Sequence, residues 1–301
     1  MIVDRIPILL DTDIGSDIDD AVALAYLLRQ PACELLGITT VSGEPARRAS
    51  LADAVCQAGG RTEVPIHVGV ENPLIVAQRQ PRATQAEALS DAMPHRLFAQ
   101  ANTAIAFLRD TIRSRPGEIT LLTIGPLTNI ALLFALDPEL PGMLKQLVMM
   151  GGRYHTRAAN GGLAEWNILC DPHAAAMVFD APVPRLVAVG LDVTEPCRLP
   201  REECRTRFTA AGGPLAPVVS MAEVWFRHVP HITFHDPLAA ALIFKPSLCA
   251  LEPYRIAVDL TNPYLSGLTL PLPGDTKPHL VAARVDPDAF FAHYFGIVGA
   301  G

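Results

Sequence analysis

Ile6-Pro7-Ile8-Leu9-Leu10 runs without a break into Asp11-Thr12-Asp13-Ile14-Gly15-Ser16-Asp17-Ile18-Asp19-Asp20-Ala21, so an apolar stretch ends in five carboxylates within ten residues. The stretch reads as a buried strand, which collects the acids at its carboxyl end. Helix capping explains Asp19 and Asp20, because Asp accepts from free N–H groups and complements the positive end of a helix running from Ala21 to Leu28. It does not explain Asp11, Asp13 and Asp17, which precede the first turn. Carboxylates crowded at one strand end repel one another unless protons or a cation neutralise them. A hard divalent cation with oxygen ligands fits such a set; the other reading is a solvated acidic loop.

The rest of the chain narrows the class. With 301 residues and 50% hydrophobic content, it has material for a substantial core, and without an internal repeat or low-complexity linker it reads as one domain over residues 1–301. Basic residues number 24 against 31 acidic, a net of −7, with no basic cluster longer than Arg47-Arg48, which argues against nucleic acid as a partner. The six cysteines form no CxxC pair, as expected in a reducing cytoplasm. No segment approaches a membrane span, and the apolar run after Asp4 and Arg5 is too short for a signal-peptide core. A cytoplasmic protein without a membrane partner is the expectation.

Short apolar runs alternate with helical patterns, which predicts an α/β fold: a mostly parallel open sheet with helices on both faces. The candidate strands are Ile6 to Leu10, Leu35 to Val41, Ile66 to Val68, Ile119 to Ile124, Gln146 to Met150, Arg185 to Val189 and Leu280 to Val285. Helices are expected from Leu51 to Ala58, from Thr103 to Arg113, and through Asn129 to Leu136 with Pro126 in the first turn. Glu71 to Gln100 and Leu191 to Pro217 look irregular, as lids and binding loops often do. Ligands of open α/β sheets sit beyond the carboxyl ends of strands. Asp11, Asp13, Gly43-Glu44, Gly125-Pro126 and Gly151-Gly152 would all gather there.

Asp236 of His235-Asp236-Pro237 reads either as a further metal ligand or as the N-cap of a helix through Ile243, and His235 as a group that titrates near neutrality. His228, His231 and His235 have zinc-like spacing, but Pro230 interrupts the helix that spacing requires. Glu165-Trp166-Asn167, if extended, puts two polar side chains on one face, suited to sugar hydroxyls, and an aromatic on the other. Asn160-Gly161-Gly162 is most simply a turn, although Asn160 could reach a site. Trp225 and Phe226 read as core filling, of functional interest only if they face a base.

In combination and order, these residues resemble the inosine-uridine preferring nucleoside hydrolase family. The match runs through the acid motif, Thr39-Thr40-Val41-Ser42-Gly43, Ile124-Gly125-Pro126-Leu127-Thr128-Asn129-Ile130-Ala131, Met150-Gly151-Gly152, Ala164-Glu165-Trp166-Asn167, Asp171-Pro172 and His235-Asp236-Pro237-Leu238-Ala239. The resemblance implies a Rossmann-related fold, a Ca²⁺ cofactor, cleavage of the N-glycosidic bond of ribonucleosides, and a homodimer or homotetramer. It implies Asp13 as calcium ligand and base, with Asp20, Asp236 and the main-chain carbonyl of Ile124 as the other ligands. Asp19 would grip the ribose 2′-hydroxyl, Glu165 and Asn167 the 5′- and 3′-hydroxyls, and Asn160 the 5′-hydroxyl as well. His235 would protonate the leaving base.

Three departures from the family pattern stand out. Ser16-Asp17-Ile18 lengthens the interval between the glycine and the paired acids, so Asp17 competes with Asp19 for a role. Glu44 stands where many members carry Asn. The segment from Glu71 to Gln100 lacks the usual His-Gly and Gly-Leu-Gly landmarks. Two other readings share parts of the pattern. Asp11-x-Asp13 after a first strand is also the opening of haloacid-dehalogenase-like phosphatases, but only Lys145 and Lys245 precede Lys277, neither in a convincing phosphate loop. A nucleoside-binding protein without turnover would keep the same residues.

Overall fold

The computed structural model describes residues 5–155, 164–272 and 279–299. Eleven strands occur among them: β1 (Ile6–Thr12), β2 (Cys33–Thr40), β3 (Ile66–Val68), β4 (Thr120–Thr123), β5 (Gln146–Met150), β6 (Leu186–Val189), β7 (Arg198–Pro200), β8 (His231–Thr233), β9 (Cys249–Val258), β10 (Thr269–Leu272) and β11 (His279–Val285). Nine form one sheet in the order β10-β9-β11-β6-β5-β4-β1-β2-β3, and β7 pairs with β8 in a separate ribbon. Every pairing from β3 across to β11 is parallel; β9 and β10 close the edge as an antiparallel hairpin. The expected mostly parallel sheet is the one observed.

Successive strand residues point to opposite faces, and both faces are covered. Ile8, Leu10, Leu122, Val148 and Val187 pack on one side with the helices Asp19–Arg29, Pro45–Ala58, Leu215–Trp225, His235–Phe244 and Pro287–Val298. Leu9, Leu121, Leu147, Met149 and Leu186 face the other side, under the helices Ala104–Ser114, Thr128–Leu136 and Pro172–Asp180. Because both faces are apolar, the central strands carry no alternation of polar residues. They read as continuous hydrophobic runs, the pattern the sequence displays.

Some local expectations need correction. Leu191 to Pro217 is not irregular: it contains the helices Leu191–Thr194 and Arg201–Ala211, strand β7 and the start of Leu215–Trp225. Only Cys204 and Phe208 are buried along Arg201–Ala211, so its apolar spacing is thin. Ion pairs one turn apart, Arg205 with Glu202 and Arg207 with Glu203, reinforce it. Pro126 lies before its helix, which begins at Thr128. Asp236 lies inside the first turn of His235–Phe244, with Phe234 at the capping position. Glu71 to Gln100 is irregular as expected, apart from a short 3₁₀ turn at Thr84–Ala88.

One fully buried cation ties the loops above the sheet together. Arg48, in the helix after β2, has no exposed surface. Its Nε donates to the Gly43 carbonyl at 2.8 Å, and Nη1 donates to the carbonyls of Asp13 and of Ile14, the latter at 3.2 Å. Nη1 also reaches Ser16 Oγ at 3.0 Å, and Nη2 the Arg82 carbonyl at 3.3 Å. Three separate segments thus meet on one planar group, which a point-charge ammonium does not reproduce. Arg48→Met is expected to lower the unfolding free energy by about 3 kcal/mol, with partial recovery in Arg48→Lys. Urea denaturation measures it, and an unchanged midpoint would show that the carbonyls do not depend on the guanidinium.

Candidate active site

The chain leaves β1 toward β2 and β3 on one side, and later elements build β4, β5 and β6 on the other, so strand order reverses between β1 and β4. Open sheets bind ligands above such a reversal. Asp13 follows β1 there and Ile124 follows β4. Gly125 permits their approach: a Cβ on it would fall 2.8 Å from Asp13 Oδ1 and 2.9 Å from Asp13 N.

Asp19 and Asp20 open one helix and Asp236 lies in the first turn of another; each offers a carboxylate oxygen, and these oxygens lie within 4.8 Å of one another. All three residues are buried. Asp20 accepts a hydrogen bond from Thr12 Oγ1, and Asp19 Oδ2 accepts from the Asp236 amide at 3.0 Å. Asp236 Oδ1 has no hydrogen-bond partner. Burial pushes the Asp19, Asp20 and Asp236 carboxyls well above their ordinary value, and the charges of neighbouring acids add to the effect. Asp13 is also raised, first by burial, with the Arg48 charge and a hydrogen bond from Gln80 opposing. Half-buried Asp17 is pushed to about 6. Like-charged oxygen donors, one of them orphaned, make a set that a hard cation fits and a soft metal does not.

Asp19 thus packs with Asp20 and Asp236, and Asp13 is near enough for its charge to act on Asp20 and Asp236. Asp11 takes no part: it is buried below the site, accepting from Thr39 Oγ1 at 2.5 Å and Asn129 Nδ2 at 2.7 Å, and burial pushes it to about 7.

The Glu165-Trp166-Asn167 triplet is not extended. Glu165 caps the short helix Trp166–Cys170, its carboxylate accepting from the amides of Asn167 at 2.8 Å, Ile168 at 3.2 Å and Gly152 at 3.0 Å. Burial outweighs those bonds and pushes it to about 7. In the helical turn Glu165 and Asn167 are buried, and Trp166 is 48% exposed. Asn167 Nδ2 donates to the carbonyls of Ile124 at 3.0 Å and Met150 at 3.3 Å.

These groups share a cavity of about 700 Å³ that also takes in Asp17, Trp225 and His235. His235 Nδ1 is 2.7 Å from Thr194 Oγ1. Burial, then the charges of Arg198 and Arg153, push its imidazole to about 3, so the neutral ring is the resting form, contrary to the expected titration near neutrality. Glu44 is outside the cavity; it opens the helix after β2 at φ 57°, and its carboxylate holds Arg47 and the Ala83 amide. Asn160 lies outside the described residues. Sequence reasoning missed Gln80, Arg153 and Glu195 in the cavity wall. None sits in a motif, and only the folded loops bring them in.

A cavity at the strand reversal, lined by a buried acid group on one side and a capped glutamate and an asparagine on the other, defines a nucleoside-hydrolase-type site. The chain belongs to the inosine-uridine preferring nucleoside hydrolase family, which matches residues 8–292, and it is a nucleoside hydrolase. It is 34% identical over 279 residues, 88% of each chain, to non-specific ribonucleoside hydrolases RihC of Shigella boydii and Escherichia coli. Among solved structures, the fold is shared with a purine-preferring ribonucleoside hydrolase from Gardnerella vaginalis (TM-score 0.82, 24% identity, 98% of this chain and 100% of that one). It is also shared with an inosine-uridine preferring nucleoside hydrolase from Bacillus anthracis (TM-score 0.79, 23% identity, 98% and 99%).

The raised acids set a pH dependence. Asp11 rises from 3.8 and Glu165 from 4.5, each to about 7, so the folded state binds more protons than the unfolded chain between those values. Their contribution to stability is present at low pH and is lost as pH rises through about 7. In EDTA, the melting temperature is expected to fall by about 5 °C or more from pH 5.5 to 8, and calcium to restore much of it at pH 8. A melting temperature that rises with pH in EDTA would contradict the burial of these groups.

Proposed function

We propose that the chain hydrolyses the N-glycosidic bond of ribonucleosides to free base and ribose, with calcium as its metal. The observation that carries the reading is the buried group Asp19, Asp20 and Asp236, with its orphaned oxygen, in one cavity with Glu165, Asn167 and His235. Asp13, Asp20, Asp236 and the Ile124 carbonyl would hold the ion, with Asp19 alongside. When bound, calcium supplies a hard positive charge that orients oxygen ligands and acidifies water.

The chain's own groups divide the remaining work. Cleavage builds positive charge at the ribose C1′ and negative charge on the base. Asp13 takes the proton of the attacking water. The ionised carboxylates of Asp19 and Glu165 favour the cationic sugar electrostatically, and burial strengthens that attraction. Asn167, fixed by two backbone carbonyls, orients a ribose hydroxyl. His235 is held neutral, which revises its role from resting acid to hydrogen-bond donor; in the tautomer whose Nδ1 accepts from the Thr194 hydroxyl, the proton is on Nε2, the nitrogen not engaged by Thr194. Both purine and pyrimidine nucleosides are substrates in this reading, supported by the relatives named as non-specific ribonucleoside hydrolases. Residues 1–301 act as one domain, in a homodimer or homotetramer as the family resemblance suggests. Six buried thiols, all free, suit a reducing cytoplasm.

Release of base and reducing sugar from inosine, adenosine, guanosine, uridine and cytidine, with calcium and after EDTA, tests the reading. Calcium-dependent release is expected, and Asp13→Ala is expected to lower kcat by about 10³-fold or more. Calcium binding without any release would point to a nucleoside-binding protein instead. His235→Ala is expected to cost about 10²-fold with poor leaving groups and far less with activated ones. A loss equal for both would remove His235 from the leaving-group side.

A further inference from the structure

We propose that Gln80 is a positioning residue that fixes where the Asp13 carboxylate points through an amide–carboxylate hydrogen bond, with its own amide locked in orientation by the indole of Trp166. The inference rests on Asp13 being the base, and it assigns a role to a residue in the irregular segment between Glu71 and Gln100, which otherwise carries no part of the chemistry.

Gln80 is 7% exposed and lies between the two walls of the cavity. Trp166 Nε1 donates to Gln80 Oε1 at 2.6 Å. An indole nitrogen donates only, so the amide oxygen must face it. That leaves the amide NH₂ to face Asp13, and Nε2 donates to Asp13 Oδ2. A donor at that oxygen fixes the direction in which the carboxylate presents its other oxygen. Exchanging the two ends of the amide would set an NH₂ against the indole N–H and an oxygen against the carboxylate, both repulsive. The link therefore has one orientation.

The backbone around Gln80 is built for the approach. Its amide is held by Gln78 Oε1 at 2.8 Å, and its carbonyl lies so near Gly43 that a Cβ there would come within 2.4 Å. Trp166 lines the cavity while 48% exposed, and its N–H is the polar group that it turns toward Gln80. Trp166 is also the first residue of the helix that Glu165 caps and that carries Asn167. The base and the sugar-binding wall are thereby mechanically joined through one amide.

Steady-state kinetics on the nucleoside that the wild type cleaves fastest, for Gln80→Leu, Trp166→Phe and the double variant, test this. In saturating calcium, Gln80→Leu is expected to lower kcat by about 10-fold or more with KM within about 3-fold, since the lost contact is with the base and not with the nucleoside. Trp166→Phe is expected to lower kcat by a smaller factor, and the double variant to be no slower than Gln80→Leu, because without the amide the indole has nothing to orient. Gln80→Leu within about 2-fold of wild-type kcat, or a double variant that multiplies the two single losses, would overturn the proposal. If Gln80→Leu does not fold, Trp166→Phe decides alone: an unchanged kcat overturns the link and a reduced one supports it. If the wild type binds calcium but releases nothing, the hydrolase reading fails by itself. Calorimetry with calcium alone then judges Gln80: affinity weakened by about 3-fold or more in Gln80→Leu supports the hold on Asp13, and unchanged affinity overturns it.

Discussion

Like charges buried together at the end of a strand are the constraint around which the structure is arranged. Asp13, Asp19, Asp20 and Asp236 are all removed from water, and the charges of Asp13, Asp19 and Asp20 each raise the pKa of at least one other. Such a group is unfavourable in isolation, and it persists because surrounding elements over-determine it. Helix starts place Asp19, Asp20 and Asp236 where the dipole favours negative charge. Arg48 adds a permanent positive charge that bears on Asp13 and Asp20. The remaining imbalance is what a cation removes. The acid motif is thus a metal-ready arrangement whose stability is coupled to protons and metal at once.

The departures from the family pattern belong to one structural feature. The residues that lengthen the acid loop need partners for their backbone groups, and the segment lacking the family's landmarks supplies them. The Gln85 amide donates to the Gly15 carbonyl at 3.0 Å, and its side-chain Nε2 donates to the Ser16 carbonyl, also at 3.0 Å. Arg48 spans the same two segments, and Glu44, in the place of the usual Asn, turns outward to hold the Ala83 amide. The acid loop, Glu44 and the segment around Arg82 to Gln85 are therefore held together as one hydrogen-bonded unit. It also delivers Gln80 to Asp13.

The layers of the sheet were legible because central parallel strands are apolar on both faces and end at glycine, proline or acid. β7 (Arg198-Leu199-Pro200) and β8 (His231-Ile232-Thr233) have one aliphatic side chain each besides proline, too little pattern to be read, whereas the equally short β3 (Ile66-His67-Val68) has two that alternate. β9 is only half-buried, with Pro253 in its middle, and lacks the clean alternation of a strand with one wet face. At the site, the acids were legible from charge density, but the division between chemistry and scaffold was not. Asp11 and Asn129 look like site residues by motif, yet they bond to each other, and Asn129 also holds the Thr40 carbonyl. Asp171 likewise caps a helix and holds Thr128. Such roles depend on which way a side chain turns at a strand end, and one-dimensional spacing does not encode that.

Desolvation links the folding cost of the site to its chemistry. The low-dielectric surroundings that push Glu165 to about 7 also leave its ionised form with little water to screen it. A positive charge that develops on a sugar in the cavity meets carboxylates already held by backbone amides, as Glu165 is by Gly152, Asn167 and Ile168, so little reorganisation is needed when it appears. Burial, with the charges of Arg198 and Arg153 adding to it, keeps His235 neutral in the same cavity. The same burial that makes the acids hard to keep ionised makes their field effective once they are.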